Sequence, residues 1–242
     1  NAARDAAEKA RAQIAAAVAQ QLDIPTERLV FAEGRVFDTQ APEQGLSFAD
    51  AVIVAEARLG TLGTTGSYTP PRSPGRYRGA GVGPSPAYSY SAAVVEVEVD
   101  PETGLWRPLQ VWMAHDVGKC INPVLVMGQI EGSVYMGLGE AMMEESAFRR
   151  LPKRLSNALV HKFPSMLEYK SLTFEEMPPV TSYIIEDPDP NGPFGAKGVG
   201  ELPMDGGAPA LLSAIENATG IFLARIPATP ERLFEASKVR RS

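Results

Sequence analysis

One alternation constrains this chain more than any other feature. Val95, Val97 and Val99 alternate with Glu96, Glu98 and Asp100. Side chains two apart share one face of a strand, so the segment from Tyr88 to Val99 is expected to bury one face and wet the other. Asp100-Pro-Glu-Thr-Gly104 supplies a turn. A second strand is expected from Leu105 to Ala114, which completes a hairpin.

Helical periodicity surrounds that hairpin. Ile14, Val18 and Leu22 recur every four residues over 1–22, with Ala7 and Ala10 extending the stripe and Pro25 just beyond it. Leu29-Val-Phe31 and Arg35-Val-Phe37 flank Glu33-Gly34 and predict a short hairpin turning at the glycine. Ser47-Phe-Ala-Asp50 reads as an N-cap with an acid in the first turn, opening a helix to Leu59 that stops at Gly60. Residues 179–186 read as a strand. Residues 207–219 read as a helix stopping at Gly220, and 229–237 as another, with Thr229 as cap and Pro230 as first residue. There is no internal repeat and no alternating βαβ series. The expected class is therefore α+β, mixed sheet hairpins with packed helices, and not a doubly wound sheet.

Composition closes off several functions. Of 242 residues, 44% are hydrophobic and 21% charged, ordinary values for a globular chain able to bury a core. No apolar run approaches the roughly 20 residues of a membrane-spanning helix, so no membrane is expected as a partner. A net charge of −6 argues against an extended nucleic-acid groove, which needs clustered Lys and Arg. Cys120 is the single cysteine, which excludes an internal disulfide framework and a thiolate zinc site. With only His115 and His161 besides, no self-contained metal centre is expected, and a reducing cytoplasm fits. Asn1 runs straight into helical sequence with neither Met nor a signal-peptide pattern. The chain is expected to be a piece of a larger product. The basic C-terminal Lys238–Ser242 reads as a polar tail.

Three segments carry candidate chemistry. From Gly60 to Pro86 Gly, Pro, Ser and Thr dominate, with Tyr68 and Tyr77 among them. A loop of that length is functional or a crossing between two lobes. Residues 123–146 read as a helix with the apolar stripe Met127, Ile130, Val134, Leu138 and Ala141, yet Gly128, Gly132, Gly137 and Gly139 lie inside it. Each such glycine costs about 1 kcal/mol against alanine, and close approach of a backbone or a ligand is the usual reason. Gln129, Gly132, Ser133 and Met136 share a second face.

The third segment is Phe194-Gly-Ala-Lys-Gly-Val-Gly-Glu201. Its glycines at 195, 198 and 200 permit positive φ and close approach to a ligand. Lys197 is followed by Gly198 and Val199, which rules out a P-loop, and Pro203 stands where a dinucleotide fingerprint needs its third glycine. The residues alone leave two readings: a solvated acid after a loop, or a carboxylate on a constrained loop suited to general-base work. Gln129 is likewise a packing amide or a ligand-binding one. His115 and Asp116, adjacent at a strand end, should point to opposite sides and serve the fold. Cys120 reads as a small buried hydrophobe. There is no Gly-x-Ser-x-Gly elbow, and Asn217-Ala-Thr219 falls inside a helix, where a glycosylation sequon is accidental.

Two of these segments together resemble a known family. Asn122-Pro-Val-Leu-Val-Met-Gly-Gln-Ile-Glu-Gly132, with Gly137-Leu-Gly139 following, resembles the glutamine-bearing helix of the molybdenum hydroxylases, the xanthine oxidase and aldehyde oxidoreductase family. Phe194-Gly-Ala-Lys-Gly-Val-Gly-Glu-Leu-Pro203 resembles the loop carrying that family's active-site glutamate. Order and separation agree, and Leu62-Gly-Thr-Thr-Gly66 and Asp116-Val-Gly118 fit as well. The likeness runs over nearly the whole chain.

The resemblance implies the C-terminal molybdopterin-binding domain of the large subunit. It maps Gln129 onto the glutamine beside the molybdenum centre and Glu201 onto the glutamate that accepts a proton, with Gly132, Gly198 and Gly200 bordering the cofactor. No residue of this chain is implied as a metal ligand. A carboxylate shielded from water is the stronger base, and the pterin carries the redox chemistry. The implied cofactor is molybdopterin with molybdenum, in its cytosine dinucleotide form, with iron–sulfur clusters and FAD in partner subunits or domains. The implied partners are the N-terminal remainder of the large subunit, the iron–sulfur and flavin subunits and a small-molecule substrate. An apolar face should be exposed where the remainder packs. Leu62–Pro71, Gly83–Tyr90 and Asp189–Lys197 look most like the 4-hydroxybenzoyl-CoA reductase branch, whereas Gly198-Val-Gly-Glu-Leu-Pro203 is common among aldehyde and heterocycle hydroxylases. The competing reading is a non-catalytic fragment that only completes a partner chain's pocket.

Overall fold

The computed structural model describes residues 1–70 and 87–241, with side chains up to 238. The chain divides into two compact units, Asn1–Pro86 and Ala87–Ser242. Residues 71–86 of the long irregular stretch, with Tyr77 and the first half of the Gly83–Tyr90 motif, lie outside the described residues.

The first unit contains helix α1 (Ala2–Leu22), strands β1 (Leu29–Ala32), β2 (Arg35–Asp38) and β3 (Gly45–Ser47), and helix α2 (Phe48–Leu59). The strands form an antiparallel sheet in the order β1-β2-β3. Ala32 pairs with Arg35, and the two residues between them, Glu33 and Gly34, have φ of 50° and 69°. Two left-handed residues in succession give a turn whose twist matches that of the strands, so the hairpin forms where Glu-Gly foretells it. Ser47 Oγ accepts the Asp50 N–H at 3.1 Å, and α2 ends at Gly60. The core is Ile14, Val18, Leu29, Val36, Ala51 and Ala55. The stripe on α1 is shorter than expected: Ala7 is exposed and burial starts at Ile14. Alanine favours a helix without needing cover.

The second unit holds β4 (Ser91–Val99), β5 (Trp106–Asp116), α3 (Pro123–Met142), β6 (Phe148–Arg150), β7 (Leu159–His161), β8 (Val180–Ile185), α4 (Met204–Thr219) and α5 (Pro230–Arg241). The hairpin of β4 and β5 has Val95 inward and Glu96 and Glu98 in solvent, as the alternation requires. The first strand starts at Ser91, later than expected. The second runs to Asp116, which brings His115 and Asp116 inside the sheet. β8 joins β5 in parallel, from Val111↔Val180 to Asp116↔Ile185, after a crossover that contains α3. Neither this pairing nor the short strands β3, β6 and β7 was legible. β6 and β7 form a separate antiparallel pair.

Against the apolar side of the sheet lie α3 and α4, and the core gathers Val111, Met113, Ile130, Val134, Leu138, Leu211 and Ile215. α3 is capped by Asn122, whose Oδ1 accepts the Leu125 N–H at 3.2 Å, and ends four residues earlier than expected, at Met142. Its buried stripe includes Val126 in place of Met127, which is exposed. Gly137 has a packing reason: a Cβ there would sit 2.5 Å from the Met204 carbonyl oxygen, so α3 and α4 touch backbone to backbone. α4 starts three residues earlier than expected and tolerates Pro209 in its first turns. Thr229 Oγ1 accepts the Arg232 N–H at 3.4 Å, which caps α5. Among the described residues no helix is long and apolar enough to cross a membrane.

Candidate functional site

The parallel pair β5 and β8 ends its two strands side by side, at Asp116 and Ile185. Two loops leave the carboxyl ends of this pair. They are the strap 117–122, which leads into α3, and the long loop 186–203, which leads into α4.

Backbone bonds tie these loops to each other. Lys119 N–H donates to the Gly195 carbonyl at 2.8 Å, Lys197 N–H to Val117 at 2.9 Å and Asp189 N–H to Gly195 at 3.0 Å. Gly118, at φ +66°, bridges Ala196, and a Cβ there would lie 2.8 Å from Lys197 N. Of the three loop glycines that permit positive φ, only Gly195 takes it, at 86°; Gly198 and Gly200 do not. Phe194 also takes positive φ, at 56°.

Side chains complete the anchorage. Asp116 Oδ2 accepts from Lys197 Nζ at 2.5 Å, and both side chains are almost fully buried. Burial pushes the Asp116 carboxyl up, but the Lys197 ammonium and the Gly118 N–H outweigh it and hold it below the usual carboxylate range. The same bond raises Lys197. His115 is fully buried. Its Nδ1 lies 2.7 Å from Ser91 Oγ and its Nε2 3.3 Å from the Gly198 carbonyl. Burial holds its pKa below the ordinary histidine value, against the opposing pull of that carbonyl and of Asp116. A neutral ring facing a carbonyl must carry its proton on Nε2, so Nδ1 accepts from Ser91. Ser133 Oγ donates to the Gly200 carbonyl. The adjacent residues His115 and Asp116 of β5 bond different groups, yet both groups, Gly198 and Lys197, lie in the same loop.

Of the residues singled out from the sequence, Gln129 and Gly200 come close together. The position of a Gly200 Cβ lies 3.9 Å from Gln129 Oε1, so the loop reaches the outer face of α3. Gln129, Gly132, Gly198, Gly200 and Glu201 are all exposed. Ser133 departs from the face it was assigned to: it is buried and turned toward the loop. Cys120 is half-buried, not buried, and its N–H donates to Glu186 Oε1 at 2.7 Å. An apolar surface is exposed at the start of α3, where Ile121, Val124 and Leu125 are 62%, 72% and 67% exposed.

The tethers Ser91, Ser133 and the Asp116–Lys197 pair were missed. The signal available was Lys197 itself, the one charged residue of Phe194–Gly200, whose ammonium needs a carboxylate partner; Asp116 supplies it, with Asp187 of the same loop 3.4 Å away.

The exposed glycines test whether a group could dock here. Gly128 and Gly132 sit inside a helix, neither has positive φ, and a Cβ on either would meet nothing within 4 Å. Neither backbone strain nor contact among the described residues accounts for them. They leave bare backbone around one amide, and that shape suits a flat polar group lying against Gln129.

The class of protein follows from comparison. A family model described as the molybdopterin cofactor-binding domain matches residues 1–178. The chain belongs to that family, the cofactor-binding region of molybdenum hydroxylase large subunits. Among individual relatives, a putative xanthine dehydrogenase molybdenum-binding subunit of Escherichia coli is 35% identical over 121 residues, covering 50% of this chain and 15% of the relative. A probable hypoxanthine oxidase of the same organism is 31% identical over 239 residues, covering 98% and 23%. The crystal structure of quinoline 2-oxidoreductase from Pseudomonas putida 86 superposes with a TM-score of 0.71 at 24% identity, over 96% of this chain and 28% of that one. This last likeness shows the fold. The chain spans less than a quarter of the length of these curated relatives.

Proposed function

We propose that the exposed face of α3 and the 198–201 loop form one side of a molybdopterin site in a molybdenum-dependent oxidoreductase. The observation that carries this reading is the meeting of Gln129 with Gly200, 71 residues apart in sequence, on a surface of unexplained glycines. When bound, the molybdenum cofactor supplies the two-electron redox chemistry. The chain's own residues do the rest. Gln129 offers an amide to hydrogen-bond the cofactor edge, and Gly132, Gly198 and Gly200 keep the surface clear for it. Glu201 accepts a proton as an oxygen nucleophile attacks an electron-poor carbon.

The remainder of the large subunit covers the apolar start of α3 and shuts water out of the site. The relatives' names, xanthine dehydrogenase and probable hypoxanthine oxidase, support an N-heterocycle as the first substrate to assay. An aldehyde and an aromatic acyl-CoA of the 4-hydroxybenzoyl type come next, the latter for the likeness of the Asp189–Lys197 loop. The cytosine dinucleotide form of the cofactor, with iron–sulfur and FAD partners in the cytoplasm, completes the proposal.

The test is Glu201→Gln in the full enzyme, which removes the base and keeps the shape. Turnover is expected to vanish while molybdenum and pterin content stay near normal. Retained turnover would remove Glu201 from the mechanism.

A further inference from the structure

Among the described residues no group holds the Glu201 carboxylate. Its aim is therefore set by the backbone that delivers it. That backbone is gripped at two carbonyls on the approach to Glu201, from two different elements. His115 on β5 holds the Gly198 carbonyl through Nε2, and Ser133 on α3 holds the Gly200 carbonyl through Oγ. Both are buried polar side chains that turn one bonding atom onto this loop, and the catalytic reading leaves both unused. Ser91 fixes the His115 ring by bonding its far nitrogen. Val199, between the two glycines, packs against the core and the Glu201 carbonyl accepts the Met204 N–H, but glycine allows many conformations on either side of Val199, and the two tethers narrow them.

We propose that His115 and Ser133 are positioning residues for Glu201, which set the carboxylate's place by tying the Gly198 and Gly200 carbonyls to the sheet and to α3. This rests on the reading of Glu201 as the proton acceptor. A group displaced by about 1 Å loses on the order of 100-fold in rate, with no change in its chemistry.

The experiment uses the holoenzyme with Ser133→Ala, His115→Leu and His115→Gln. Glutamine retains an N–H donor at the reach of Nε2, whereas leucine does not. Ser133→Ala and His115→Leu are expected to lower kcat by about 10- to 100-fold, with KM, molybdenum and pterin content unchanged. Amide hydrogen exchange should quicken at 199–202 while protection along α4 holds. His115→Gln should recover most of the rate and of the protection. Unchanged kcat, or a loss that follows cofactor content, would overturn the inference. Should His115→Leu fail to fold, Ser133→Ala, which removes one oxygen, decides alone. Glu201→Gln is measured alongside: its retention of turnover defeats the functional reading, whereas inactive Glu201→Gln with fully active tether variants defeats only this inference.

Discussion

The inner and outer sides of α3 both carry glycine, and for different causes. On the inner side a Cβ at Gly137 would come within 2.5 Å of the Met204 carbonyl oxygen, so α4 can lie this close only if the side chain is missing. On the outer side Gly128 and Gly132 have nothing within 4 Å. Alanine there would fit and would favour the helix by roughly 0.5–1 kcal/mol. Gly137 is explained by packing, whereas no contact among the described residues explains Gly128 or Gly132. In the strap and the loop, Gly118 and Gly195 have positive φ while Gly198 and Gly200 do not, and a Cβ at Gly198 would press within 3.2 Å of Leu202 Cδ1.

Substitution sharpens this contrast. Gly137→Ala should force α3 from α4 and destabilise the unit by about 1–3 kcal/mol, the usual range for overpacking. Hydrogen exchange along α3 and α4 would read it, and unchanged protection would mean that the helices are free to part. A smaller effect separates the tethered side of the site from the bare one by pH. His115 titrates below its ordinary 6.5 when folded, so beneath that pH the unfolded chain binds a proton that the folded chain refuses. Stability should therefore fall as pH drops below 6.5, toward the folded value. Asp116 acts in the same direction further down: its carboxyl lies below 3.8 when folded, and its contribution is lost as pH falls through that lower value. Melting curves of the wild type and His115→Gln should diverge in slope just below pH 6.5, with the variant flatter. Parallel slopes would show that His115 takes a proton in the fold as readily as outside it.

The sequence made local structure plain wherever local chemistry decides it. The Val95–Val99 alternation, the Glu33-Gly34 turn and the Ser47 cap each depend on neighbours within a few residues, and each forms as read. What stayed hidden depends on distance. The parallel pairing of β8 with β5 joins residues some 70 apart, and nothing in either strand names its partner. Ser133 falls in the same category. Helical spacing placed it beside Gln129, but its hydroxyl turns to a loop whose path could not be known from periodicity. Met127 was assigned to the core for its hydropathy, while the smaller Val126 took that place. For the site, Gln129 and the glycines around it were visible because a helix interior disfavours glycine. The His115 and Asp116 tethers were invisible because a buried polar residue declares its role only once its partner is present.

The central claim is that the outer face of α3 is bare for a ligand's sake. Gly132→Leu in the full enzyme tests it most directly, by molybdenum and pterin content alongside hydrogen exchange of α3. Leucine is a better helix former than glycine, so α3 should be as protected as before or more so, by under about 1 kcal/mol. Such an enzyme is expected to be intact and depleted of cofactor. A Gly132→Leu enzyme that carries its full complement of molybdenum and pterin would contradict it.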